Sequence, residues 1–305
     1  MKGPLYLCAD IGGTQIKTGL LDGAGRLVGA IHREDAQAGL PQQPLLDHIA
    51  ACLLAPWPGE VPVAGVCLAM PGPCDYPAGH CWIEGLEKYG SLYGADLRRE
   101  LGARLAPALG PAGENLLFQN DVAAFALGEL RCGCAQGIQR GLFVCIGTGC
   151  GSAFTVGDAL APEGTPGVPP QGYLYPLPLA GKRVDDWLSR RGLQELSRRR
   201  LGRPLEGLPL AQLAQAGEPG ALAVWEEFGQ LLAQALAPVV EAFQPELLCL
   251  GGQVTASGAL FLGPLQSACE TRGVRLACTQ ETSLRAMQGA LPCANQIQNQ
   301  REVSL

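Results

Sequence analysis

The chain has 305 residues, 47% of them hydrophobic and 16% charged, which is enough apolar material for two packed domains and rules out the composition of a disordered chain. A net charge of −6 argues against a general nucleic-acid binder, which needs clustered Lys and Arg against phosphate. No apolar run reaches the length of a membrane span and no signal peptide is visible, so a cytoplasmic protein without a membrane partner is expected.

In chain order, residues 5–9 read as a strand, Asp10-Ile11-Gly12-Gly13-Thr14 as a glycine turn and 16–21 as a second strand. A third strand is expected over 26–31. Helical spacing covers 44–54. A buried strand over 63–69 ends at Met70-Pro71-Gly72-Pro73. A helix over 96–105, a strand over 115–119 and a helix over 121–131 follow. The opening pattern then recurs: a strand over 141–146, the turn Gly147-Thr148-Gly149-Cys150-Gly151 and a strand over 153–156. Laid on each other, residues 10–14 fall on 145–149, and Asp22-Gly23 falls on Gly157-Asp158, an internal duplication of a hairpin unit. Residues 163–178 are a Pro- and Gly-rich loop. Residues 184–200 are helical. Residues 221–243 carry Trp225, Phe228, Leu232, Leu236, Val239 and Phe243 at helical steps, with a bend expected at Pro238. A strand over 246–250 ends at Gly251-Gly252, and 284–293 close the chain as a helix.

Strands alternating with helices in two similar halves predict an α/β protein of two domains facing a cleft, with ligands at the glycine turns. The boundaries read 1–118 and 119–305, the closing helix packing back on the first domain. The thirteen cysteines are odd in number and scattered. Cys8, Cys67, Cys145 and Cys249 lie in strand-like runs, so they read as reduced, small hydrophobes. The Arg190, Arg191 and Arg198–Arg200 cluster reads as a solvated helix face.

The chemistry-bearing residues stand at the strand ends. Asp10 before paired glycines suits a metal–phosphate site: Gly12 and Gly13 let backbone N–H groups approach phosphate, Thr14 adds a hydroxyl and Lys17 a positive charge. Asp10 is the expected Mg2+ ligand, directly or through water. Gly147, Thr148 and Gly149 form a second candidate phosphate cradle, and Gly251 and Gly252 a third point of close backbone approach. Asp121, between a strand and a helix, reads either as a helix cap or as a general base, ionised at neutral pH by the helix N-terminus. Asn120 beside it offers an amide to a substrate hydroxyl.

The ordered set Asp10-Ile11-Gly12-Gly13-Thr14 with Lys17, Met70-Pro71-Gly72-Pro73, Asn120-Asp121-Val122-Ala123-Ala124-Phe125, Gly147-Thr148-Gly149-Cys150-Gly151 and Leu250-Gly251-Gly252 resembles the ROK family of repressors, open reading frames and sugar kinases over nearly the whole chain. The resemblance implies the actin-like, ribonuclease-H-like ATPase fold and an ATP- and Mg2+-dependent, glucokinase-like sugar kinase acting as a homodimer. It implies that Asp121 is the catalytic base, that Asn120, Pro71 and Gly72 border the sugar, and that Asp10, Gly12, Gly13, Thr14, Gly147, Thr148, Gly149, Gly251 and Gly252 hold the nucleotide.

The sequence departs from the family in two places. The family's zinc-binding His and three Cys have no counterpart between Cys150 and Cys249, and Cys132-Gly133-Cys134 offers only two ligands, so no structural zinc is expected. The family's sugar-contacting Glu-x-x-His is replaced around Gly167–Tyr173, and its Asn has no evident match near His80–Glu84. Glu84, Glu163 and Gln171 are the candidate substitutes. The rival reading is a catalytically weak sugar sensor. Only nine residues precede Asp10, which leaves no room for a DNA-binding domain there.

Overall fold

The computed structural model describes residues 3–84 and 88–292. The chain divides into two compact units. One runs to Gly133 and takes the segment from Ser283 onward, and the other is Cys134–Thr282. The break thus falls after Gly133, where the sequence suggested 118. The helix Asp121–Cys132 buries Val122 through Glu129, a nearly all-round apolar surface that groups it with the first unit.

The first unit holds a five-stranded sheet in the order Leu27–Asp35, Gln15–Asp22, Leu5–Ile11, Gly65–Met70, Leu116–Asn120. The first three pair antiparallel and the last two add on in parallel. Leu5–Ile11 and Gly65–Met70 are central, so their residues are buried on both faces and read as continuous apolar runs. Leu27–Asp35 runs four residues past the expected 26–31. It is an edge strand, and its exposed His32, Arg33, Glu34 and Asp35 protect that edge from further pairing. The helix Gln42–Leu54 presses Leu45, Leu46, Ile49 and Leu53 into the core. Leu97–Leu109 starts where the Asp96 side chain accepts the Arg99 N–H. The last helix, Thr282–Ala290, packs on Asp121–Cys132 through glycine: a Cβ on Gly128 would run into the Arg285 backbone, and one on Gly289 into the Ala124 carbonyl.

The second unit repeats the plan. Its sheet runs Ala159–Leu160, Cys150–Val156, Arg140–Ile146, Leu247–Gly251, Arg275–Cys278, again with an antiparallel hairpin followed by two parallel additions. The duplication seen as a weak sequence echo is therefore complete at the level of topology. Its core centres on the helix Pro219–Phe243, which runs through Pro238 and buries Trp225, Phe228, Leu232 and Phe243. Trp225 stacks on Phe261, with Phe228 edge-on to both.

The single helix expected over 184–200 is two. Val184–Trp187 stops at Leu188, and the buried Ser189 caps a new helix, Arg190–Leu201, by accepting the Gly192 N–H. Three short elements, Gly207–Gln215, Gly263–Thr271 and Arg275–Cys278, have no counterpart in the sequence reading. Cys8, Cys67 and Cys249 are buried thiols in no disulfide, and Cys145 is half-buried. The arginine cluster pairs with acids: Arg190 with Glu206, Arg198 and Arg199 with Glu195, Arg200 with Glu227. No helix among the described residues is long and apolar enough to cross a membrane.

Candidate active site

In the first unit the carboxyl ends of three parallel strands lie side by side, the position where open α/β sheets bind ligands. Register pairs Asp10 with Ala69, Ala69 with Gln119, and Met70 with Asn120. Asp10, Pro71-Gly72 and Asn120-Asp121 are thus brought to one edge by strand pairing alone.

Asn120 caps the following helix, its Oδ1 accepting the N–H of Val122 at 3.1 Å and of Ala123 at 3.0 Å. The cap that Asp121 might have been is therefore its neighbour. Asp121 Oδ1 accepts the Val122 N–H at 2.9 Å. Its pKa is raised to about 6, first by burial and then by the charge of Asp10, and these outweigh the helix N–H groups that lower it. This reverses the expectation that the helix N-terminus would hold the pKa low, yet leaves the group ionised at pH 7. Asp10 is also raised, by burial, against the opposing effects of Ser283 and Lys17.

Lys17 stands opposite Asp10 across the hairpin, and its Nζ donates to Ser283 Oγ at 2.8 Å. Ser283 hydrogen-bonds Asp10 as well. The sequence reading missed Ser283, because nothing local marks a serine in the first turn of a helix 266 residues away as a neighbour of Lys17. The Gly12 N–H closes the turn onto the Gln15 carbonyl at 3.0 Å, and Thr14 is exposed beside it. Two further residues that the sequence did not flag stand over this turn. Tyr89 donates its hydroxyl to the Gly12 carbonyl at 2.7 Å, and the Lys88 side chain lies against Gly13. Burial, with Asp10 adding, pushes the Tyr89 phenol well above its ordinary pKa, so it remains a donor.

The Pro71-Gly72 loop is half-buried, and its Gly72–Pro73 peptide is cis. Tyr76 packs under it. The Tyr76 hydroxyl would lie 2.7 Å from a Cβ on Gly72, donates to the Met70 carbonyl and accepts from Asn120 Nδ2. His80 stacks on Trp82 in the short hairpin that follows.

In the second unit, Gly251 pairs in register with Cys145, so the Gly251-Gly252 turn adjoins Gly147-Thr148-Gly149. Gly252 has φ +93°, and a Cβ there would collide with the Ile146 carbonyl oxygen; only glycine lets the two turns approach this closely. Its N–H donates to Thr282 Oγ1 at 2.9 Å, and its carbonyl accepts Thr255 Oγ1 at 2.6 Å. The second turn is held by Gly147 N–H to the Gly149 carbonyl, by Arg190 N–H to the Gly147 carbonyl, and by Asp185. Asp185 Oδ1 accepts the Cys150 N–H at 2.7 Å, and its other oxygen pairs with Arg191 at 2.7 Å. Asp185 escaped the sequence reading because it lies 35 residues beyond the turn it supports. Thr148 is exposed at the tip. Glu84, Glu163 and Gln171 are all exposed, and Gln171 has φ +57°.

Two units that each carry this hairpin-plus-parallel sheet with glycine turns at the strand ends define the actin-like ATPase fold. The chain matches the ROK family over residues 6–290 and belongs to that family. It is 26% identical over 282 residues to a glucokinase of Thermotoga maritima, covering 84% of each chain. Among solved structures it resembles a ROK family glucokinase from Streptomyces griseus in complex with glucose and AMPPNP (TM-score 0.77, 19% identity, 94% of this chain and 98% of that one). It also resembles an inorganic polyphosphate/ATP-glucomannokinase from Arthrobacter sp. strain KM (TM-score 0.68, 25% identity, 95% and 97%).

Proposed function

We propose that this protein is an ATP-dependent sugar kinase in which Asp121 is the general base. The observation that carries the reading is the state of Asp121. Its neighbour Asn120 takes over the helix cap, and its pKa is tuned to about 6, the range in which a base is ionised at neutral pH and still accepts a proton. The relatives named a glucokinase and a glucomannokinase support a hexose as acceptor.

In this mechanism Asp121 takes the proton from the attacking sugar hydroxyl as that oxygen approaches the terminal phosphorus in line with the leaving oxygen. Asn120, Pro71 and Gly72 border the sugar. Gly12, Gly13, Thr14 and Lys17 hold phosphate on the first unit. Gly147, Thr148 and Gly149 hold donor phosphates on the second, and Gly251 and Gly252 take the adenosine side. Asp10, a half-buried carboxylate at a strand end beside a second acid, offers the hard oxygen donor that Mg2+ requires. The ion, when bound, neutralises charge on the donor phosphates. The same reading carries a cytoplasmic homodimer with no nucleic-acid or membrane partner, which sedimentation checks for the dimer.

The test is ADP release from MgATP across a panel of hexoses, N-acetylhexosamines and ketoses. Release that depends on one sugar and falls by roughly two to four powers of ten in Asp121→Asn, the scale of a lost acid–base group, supports the kinase. Sugar binding without turnover across the panel would instead make the protein a sensor.

A further inference from the structure

The first glycine turn carries more than its own backbone. Lys88 runs its side chain across Gly13 so closely that a Cβ on Gly13 would fall among its Cδ, Cε and Nζ atoms. Glycine at position 13 therefore serves this lysine as much as any phosphate. The next residue, Tyr89, is held with φ +59° and ψ +11°, a left-handed conformation that an aromatic residue rarely adopts. Backbone of this kind persists where its surroundings over-determine it, and it gathers at ligand sites. Here the surroundings are explicit. The ring is buried, the hydroxyl donates to the Gly12 carbonyl, and the N–H donates to the Ala38 carbonyl at 2.9 Å. Two residues on, Ser91 Oγ donates to the Leu40 carbonyl at 2.7 Å, and the Ser91 carbonyl accepts Gln42 Nε2 at 3.0 Å. Residues 89–91 are thus clamped to the turn on one side and to the chain before the Gln42 helix on the other, and Lys88 is delivered onto Gly13.

The hairpin's own cation is shared with the carboxylate beside it. Lys17 donates to Ser283 and sits opposite Asp10, so its charge answers that carboxylate. A polyanion arriving at the Gly12-Gly13 turn needs a positive charge on the turn itself, and an ammonium on a flexible stem is a compact charge suited to phosphate.

We propose that Lys88 binds the phosphate chain of the donor at the Gly12-Gly13 turn, with Tyr89 as the positioning residue that holds it there. This rests on the kinase reading above, and the test separates the two.

Calorimetry on the full chain with Mg2+ compares AMPPNP with AMP, in the wild type and in Lys88→Gln, Lys88→Met and Lys88→Arg. Loss of the charge weakens AMPPNP about ten- to a hundredfold, the scale of one charge-assisted hydrogen bond. AMP and sugar affinities stay within about twofold of wild type, well under the tenfold of 1.4 kcal/mol, and Lys88→Arg recovers most of the AMPPNP affinity. Lys88→Met keeps the stem over Gly13, so it isolates charge from packing should Lys88→Gln fold poorly. Tyr89→Phe gives a smaller AMPPNP loss with the same selectivity. Wild-type AMPPNP affinity in both uncharged variants overturns the inference, as does an equal loss for AMP. A wild-type chain that binds no AMPPNP at all overturns the kinase reading, a result distinct from either.

Discussion

The Tyr76 hydroxyl joins Asn120 to Met70: it accepts from Asn120 Nδ2 at 3.1 Å and donates to the Met70 carbonyl at 3.3 Å. Met70 and Asn120 are register partners at the ends of adjacent parallel strands. One hydroxyl therefore ties the start of the Pro71-Gly72 loop to the residue that caps the Asp121 helix. Because Asn120 Oδ1 is spent on the cap, its amide orientation is fixed, and Tyr76 receives the other end. Any sugar hydroxyl that meets Asn120 meets an amide already held on both sides.

Tyr76→Phe keeps the ring under the loop and removes this joint. The sugar KM is expected to rise about tenfold, the worth of roughly one hydrogen bond, with kcat little changed. Asn120→Ala should do more, because it also removes the cap, at a cost of about 0.5–2 kcal/mol in stability. Steady-state kinetics together with thermal unfolding checks both. An unchanged sugar KM in Tyr76→Phe would mean that the hydroxyl does not set Asn120 for the substrate.

Asp121 should cost stability where it works. Its pKa rises from 3.8 to about 6 on folding, so between those values the folded chain holds more protons than the unfolded one. Stability contributed by this group is then lost as pH rises through that window and stays lower above it. Asp121→Asn removes the penalty. The variant, free of Mg2+ and nucleotide, should be more stable than wild type at pH 7.5 by on the order of 1–2 kcal/mol, and the two should converge below about pH 4. In the wild type, kcat/KM should fall as pH drops through about 6. A stabilised but inactive Asp121→Asn is the signature of a charge kept for chemistry. A destabilised one would mark Asp121 as structural.

The sequence made the strand–turn–strand units legible because glycine and aspartate at strand ends punctuate buried, apolar runs. It also showed the glycines of both halves and the acids Asp10 and Asp121 of the first, because each sits within a few residues of its own turn or strand end. What it did not show is held from afar. Ser283 reaches Lys17, Asp185 reaches Cys150, and Tyr89 reaches Gly12 across 77 positions, each through a single side chain whose local sequence is ordinary. The pKa of Asp121 was misjudged for a related reason. The helix N-terminus is visible in sequence, but burial and the approach of Asp10 are products of the fold. The break at Ser189 was hidden because both flanking segments have helical composition, and only the buried serine's bond to Gly192 N–H ends one and starts the other.

Gly252 tests whether the close approach of turns in the second unit matters beyond its backbone angle. Gly157 offers the control. It has φ +62° with nothing within 4 Å of a built Cβ, whereas Gly252 at φ +93° would drive a Cβ into the Ile146 carbonyl. Gly157→Ala should therefore lose only the backbone preference, about 1 kcal/mol. Gly252→Ala adds a collision with main chain that cannot turn aside, and should lose about 2–3 kcal/mol. Ile146 leads directly into Gly147, so the relief of that collision shifts the second phosphate turn, and the KM for MgATP should rise in Gly252→Ala alone. Thermal unfolding and nucleotide titration read the two effects. Equal losses in both variants, with nucleotide affinity intact, would reduce Gly252 to a turn residue and remove it from the nucleotide site.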